Sequence, residues 1–141
     1  MIGYFMTPKL YLYANAQSIA LLEEPAEKIL LVGSDFGYGN FGDILQHTNS
    51  ISFHHGLGRF RTVSIMAVNA IGDRNFPEFV STAYSCDAVV FVSEFPLDLT
   101  ELKLPLQPIP SIRNASALHL YGGGFLNEKW GDFVLGVTEY L

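Results

Sequence analysis

The chain has 141 residues, 49% hydrophobic and 16% charged, which suits one folded domain and excludes a disordered tail. Acidic residues outnumber basic ones 14 to 8, for a net charge of −6. Nucleic acid and anionic membrane surfaces are therefore disfavoured as partners, because phosphate neutralisation needs a basic patch.

The one cysteine, Cys86, has no second thiol for an internal disulfide, and a reducing cytoplasm is the expected location. The longest apolar runs, Ile29–Val32 and Ala88–Val92, are far shorter than the ~20 residues of a membrane helix, so no membrane span is expected. The N-terminus lacks a basic start, and Asn15, Gln17 and Ser18 interrupt its apolar run, so no signal peptide is expected either.

Residues 1–27 differ in character from the rest of the chain and read as an N-terminal extension, with Leu10–Tyr13 as a short strand and Ser18–Lys28 helical around an interrupting Pro25. The body, 28–141, opens on Ile29-Leu30-Leu31-Val32-Gly33, the pattern of a fully buried parallel strand. A glycine-rich loop comes next, and then a helix over Asp43–His55. Its expected inner face is Ile44, Thr48, Ile51 and His55, with Leu45 beside it. Asn40 is placed to cap this helix, Asp43 stands at its third position, where an acid suits the dipole, and Gly56 and Gly58 end it. Arg61–Val68 is the second strand. Asn75 caps a short helix from Phe76, with Pro77 in its first turn. Asp87–Ser93 is the third strand. The proline-rich stretch Phe95–Arg113 has room for one short helix, about Leu99–Leu104. Ala117–Tyr121 is the fourth strand, running into Gly122-Gly123-Gly124, and a last helix begins over Phe125–Phe133.

Strands alternating with helices predict an α/β fold: a Rossmann-like three-layer domain with a mainly parallel sheet, its four strands in the order 3-2-1-4. In that order the first and fourth strands are neighbours. Both glycine-rich loops, Gly37–Gly42 and Gly122–Gly124, then lie at the carboxyl-end crevice where open α/β sheets bind ligands. The first loop matches G-x-G-x-x-G, but Ser34-Asp35-Phe36 separate it from its strand, and no acid ends the second strand to hold a ribose. Asp43 also puts negative charge where a pyrophosphate would lie. No Walker motif is present.

Gly39-Asn40-Phe41-Gly42-Asp43 after the first strand, and Tyr121-Gly122-Gly123-Gly124-Phe125-Leu126-Asn127 after the fourth, resemble the two motifs of the polysaccharide pyruvyl transferase family over about residues 28–135. The resemblance implies one half of a GT-B type glycosyltransferase architecture. It also implies transfer of pyruvate from phosphoenolpyruvate to hydroxyls of a cell-surface polysaccharide, with no other cofactor. Members of the family are longer, so the chain corresponds to their N-terminal, acceptor-side half and is expected to be inactive alone. Self-association through the face meant for the second half is a further expectation.

On this reading Asp43 is the catalytic base, and Gly39, Asn40, Gly42, Gly122, Gly123 and Gly124 line the saccharide site, joined by His119 just before the second loop. The plainer roles are a capping pair for Asn40 and Asp43 and tight packing for the glycines. Two other readings stay open, a nucleotide- or dinucleotide-binding Rossmann domain and a non-catalytic glycan-binding module.

His47, His54 and His55 do not suggest a metal. Adjacent helical histidines point about 100° apart, His47 and His54 are two turns apart, and no carboxylate or thiol completes a set. They read as surface or capping histidines. Cys86 reads as a packed thiol, Trp130 as packing for the last helix, and Ser93 and Glu94 lie on the functional edge.

Overall fold

The structure of the protein, a computed structural model, describes residues 10–32, 41–67, 86–100 and 105–121, and for 41–44 and 67 it describes the backbone alone. The elements are β1 (Tyr11–Asn15), α1 (Ala16–Leu22), β2 (Lys28–Val32), α2 (Phe41–Leu57), β3 (Arg61–Ala67), β4 (Ala88–Ser93), β5 (Leu106–Ile109) and β6 (Ala115–Leu120). The strands form one mixed six-stranded sheet in the order β5-β1-β4-β3-β2-β6.

The six-stranded mixed sheet corrects the expected four-stranded one, whose order 3-2-1-4 survives only as part of it. The four strands expected from sequence, β2, β3, β4 and β6, are mutually parallel and lie as β4-β3-β2-β6, but two antiparallel strands extend the sheet beyond β4. One of these is β1, from the stretch set apart as an extension. It pairs with β4 through Leu12↔Val92 and carries the fully buried Ala14. The other, β5, lies in the proline-rich stretch expected to hold a helix at most. Pro108 cannot donate to a ladder, and the strand survives because β5 is at an edge, where that missing donor costs nothing.

Side-chain alternation sorts the core into two layers. Leu30 and Val32 of β2, Val63 and Ile65 of β3, and Val90 and Val92 of β4 pack on one face with Leu22 of α1. Ile29, Leu31, Met66 and Phe91 pack on the other with Ile51 of α2. Each face therefore carries one described helix. Among the described residues no helix is long and apolar enough to cross a membrane.

Helix α1 is shorter than expected and ends before Pro25, whose ring would clash with the preceding turn. The Asn15 side chain caps it by accepting from Ser18 N–H at 2.8 Å. The Ser18 hydroxyl in turn accepts the backbone N–H of Val89 at 3.1 Å, serving a β4 donor beyond the β1 register. Helix α2 continues through Gly56 to Leu57, so Gly56 does not end it. Gly58 does, with a φ of 65° and its N–H bonded to the His54 carbonyl at 3.1 Å.

Lys28 opens β2 as a fully buried lysine. Its ammonium donates to the carbonyls of Glu24 at 2.7 Å and Ala26 at 2.9 Å, just past the C-terminus of α1. Burial lowers its pKa, and Glu24 opposes that shift. Lys28→Met is expected to cost about 1–3 kcal/mol, because both carbonyls lose their donor. A urea titration followed by circular dichroism checks this.

The helices expected from Phe76 with Asn75 as cap and over Phe125–Phe133, the Asn40 cap, Val68, and most of 99–104 lie outside the described residues. Within that last range, Leu99 and Thr100 form a turn.

Candidate functional site

Strands β2 and β6 end side by side. Val32 is the register partner of Leu120, and Tyr121 N–H donates to the Val32 carbonyl at 3.0 Å, carrying the ladder one residue past β6. The chain therefore enters both glycine-rich segments from neighbouring strand ends, on the carboxyl edge of the parallel strands. Helix α2 starts at Phe41 and includes Gly42 and Asp43 in its first turn, where N–H groups without intrahelical acceptors and the dipole favour an oxygen ligand. Gly39, Asn40, Gly122, Gly123 and Gly124 lie outside the described residues, as does the Asp43 side chain.

Behind this edge α2 meets the sheet through an unusually polar face. The inner face expected from periodicity is Ile44, Thr48, Ile51 and His55. Instead, His47, Ser50, Ile51 and His54 are buried, while Leu45, Phe53 and Leu57 face outward. The periodicity misleads because apolar residues mark the outer stripe of this helix as well as its inner one.

Three of the 4 histidines of the chain, His47, His54 and His119, gather at this seam. His47 is fully buried, its Nε2 2.8 Å from Ser64 Oγ on β3 and its ring stacked on Tyr121 at 5.0 Å between centroids. Removal from water pushes its pKa down to about 4, so the ring is neutral at pH 7. The Ser64 hydroxyl also reaches the Cys86 thiol, whose pKa burial nevertheless raises. Cys86 is therefore a packed, un-ionised thiol.

Two turns further along α2, His54 Nε2 lies 2.8 Å from His119 Nδ1 on β6. Two imidazole nitrogens at that distance share one proton, one ring donating and the other accepting. Burial lowers the His54 pKa, and the neighbouring His119 and His55 lower it further. His119 thus faces the helix, joined to His54 in the seam. His47 and His54 are core groups here, which corrects their reading as surface or capping histidines. The reason is their seven-residue spacing on one face of a helix that lies across β2, with β3 to one side and β6 to the other.

The N-terminal end of the sheet is closed by a separate cluster. Asp87 Oδ2 accepts from the Thr62 backbone N–H at 2.8 Å and from its hydroxyl at 3.0 Å, and His55 Nε2 lies 3.2 Å away. Thr62 Oγ1 accepts the Asp87 N–H at 3.1 Å in return. This reciprocal latch joins β3, β4 and the end of α2 at the end of the sheet opposite Val32 and Leu120. Its geometry is structural: Asp87 Oδ2 and Thr62 Oγ1 are both taken up in bonds between elements.

Comparison with models of known families, with curated proteins and with solved structures finds no match.

Among the described residues, no group of three or more His, Cys, Asp or Glu is placed to hold a metal ion. Sequence reasoning missed Ser64 and Tyr121 as partners of His47, and His119 as the partner of His54. The available signal was the pair His47 and His54 in a helix with no charged residue from Ile44 to Leu57. Ser93 and Glu94 stand at the carboxyl end of β4, with Ser93 Oγ accepting from the Phe95 N–H at 3.2 Å, a loop-starting contact.

Proposed function

We propose that the crevice at the ends of β2 and β6 binds a saccharide, and that the chain is the acceptor-side, Rossmann-like half of a polysaccharide pyruvyl transferase. One observation carries this reading. Val32 and Leu120 are register partners, so the two motifs that resemble that family leave the sheet next to each other. Two loops far apart in sequence then serve one ligand, the usual arrangement at a switch point of an open α/β sheet.

In this reading Asp43, in the first turn of α2, takes the proton from an acceptor hydroxyl. Gly39, Asn40 and Gly42 on one side and Gly122, Gly123 and Gly124 on the other let the sugar approach the backbone closely. The donor, phosphoenolpyruvate, carries a phosphate and a carboxylate. A chain with net charge −6 is poorly suited to hold it, and its binding falls to cationic groups of the complete enzyme. The proposed location is cytoplasmic, where that donor is made.

Titration calorimetry with galactose-, mannose- and glucose-type saccharides tests the reading. One sugar class is expected to bind, with the affinity of Asp43→Asn reduced roughly 10- to 100-fold, the worth of one hydrogen bond to a charged group. Equal affinity of the two proteins would make Asp43 a helix-start residue only. Binding of NAD in place of any saccharide would favour the dinucleotide-binding alternative.

A further inference from the structure

Helix α2 is bonded to β6 through two histidines, with His54 Nε2 lying 2.8 Å from His119 Nδ1. His54 is buried, and its other ring nitrogen, Nδ1, has no hydrogen-bond partner among the described residues. That orphan nitrogen decides which ring carries the bridging proton. Were the proton on His119 Nδ1, neutral His54 would hold its own proton on Nδ1, as a buried N–H donor without an acceptor. A buried orphan donor is the rarer and costlier kind. With the proton on His54 Nε2, Nδ1 is only a bare lone pair. His54 Nε2 is therefore the donor and His119 Nδ1 the acceptor.

This arrangement has no place for another proton. One added to His54 Nδ1 creates the buried orphan donor. One added to His119 Nδ1 takes the lone pair that accepts the bond and sets N–H against N–H at 2.8 Å. We propose that the His54–His119 pair is an acid-released clasp, in which protonation breaks the bond between α2 and β6 and frees the end of β6 while the rest of the sheet stays paired.

The surroundings favour release. The titratable groups acting on His54 are His119 from β6 and His55 from its own helix, and both oppose a positive charge there. The Asp87 carboxylate of the same face is engaged by His55 and Thr62. From β2 this layer presents Ile29 and Leu31, and from β3 Thr62 and Ser64, none of them charged. Burial first, then the two histidines, holds the His54 pKa below its ordinary 6.5, so the bond is present at neutral pH and is lost as the pH falls. His119 stands two residues before Tyr121, whose N–H bonds the Val32 carbonyl, so the clasp fixes the strand end at the crevice whatever the crevice binds.

Long-range proton–nitrogen NMR of the histidine rings, on the full chain from about pH 8 down to unfolding, tests this. Both His54 and His119 are expected to carry their proton on Nε2 at the start. His54 is expected to take up a proton below pH 6.5, with loss of the Overhauser contacts between the two rings in the same step. Amides of 117–121 are expected to shift with it, while those of β1 and β4 hold. His119→Gln supplies an acceptor that does not titrate, and its contact with the His54 ring is expected to survive the same acidification. A His54 ring protonated on Nδ1 at the start would overturn the proposal. So would ring contacts that outlast protonation, proton uptake by His54 only as the whole chain unfolds, or loss of the contact at the same pH in His119→Gln.

Discussion

Acidification from about pH 7.5 to about pH 4.5 is expected to remove roughly 2–3 kcal/mol of folding stability through His47 alone. In the unfolded chain His47 titrates near its ordinary value of 6.5, and in the folded protein burial pushes that down to about 4. Between these values the unfolded chain binds the extra proton, so stability is fully present above 6.5, falls as the pH drops, and levels off below about 4. Among the described residues, no charged group contributes to this shift. Its cause is desolvation, with Ser64 and Tyr121 as the described neighbours of the ring. His54 acts in the same direction, through burial and then through His119 and His55. Urea unfolding at both pH values, in the wild type and in His47→Gln, isolates the effect. The variant is expected to lose most of the pH dependence, and an unchanged dependence would place His47 in contact with water.

The second large effect is a contrast between two apolar residues. Leu31→Ala is expected to cost about 3–4 kcal/mol, because Leu31 is 0% exposed at the centre of the layer under α2 and its loss leaves a cavity. Phe53→Ala removes a larger side chain, yet it is expected to cost no more than about 1 kcal/mol. Phe53 is 59% exposed, and its one described ring contact is edge-on to His54, at 5.1 Å between centroids. The contrast tests the rotation of α2. Comparable losses in the two variants would mean that the helix turns its apolar stripe, not its histidines, towards the sheet.

The fold was legible where burial is two-sided. Ile29–Val32 and Ala88–Val92 are unbroken apolar runs because both faces of β2 and β4 are covered, and such runs announce strands from sequence alone. Their parallel order follows from the helices between them and the handedness of crossovers. The strand that escaped, β5, and the unexpected place of β1 in the sheet have weaker signals. In β5 the exposed Gln107 and Pro108 leave little apolar pattern, and proline reads as a strand breaker until the edge position is known. Tyr11–Asn15 looks like a strand, but nothing local says that it pairs with β4, nearly eighty residues away.

The candidate site was legible in a different way. The glycine-rich segments announce themselves by composition, and the strands that precede them, β2 and β6, end side by side. The polar seam behind them was not legible. A histidine in a helix pattern usually belongs on the surface, and only the tertiary arrangement supplies Ser64, Tyr121 and His119 as its partners. The seam also ties the site to the core, since Tyr121, which stacks on His47, is the last residue before Gly122.

Whether both motifs serve one saccharide crevice is decided by an amide NMR titration of the chain with the saccharide panel and with NAD as control. One sugar class is expected to shift the amides of 39–43 and 122–125 together, along with Val32, Leu120 and Tyr121 at the strand ends, and to leave β1 and β5 unmoved. Shifts in only one of the two segments, or shifts in both with NAD and with no saccharide, would contradict it.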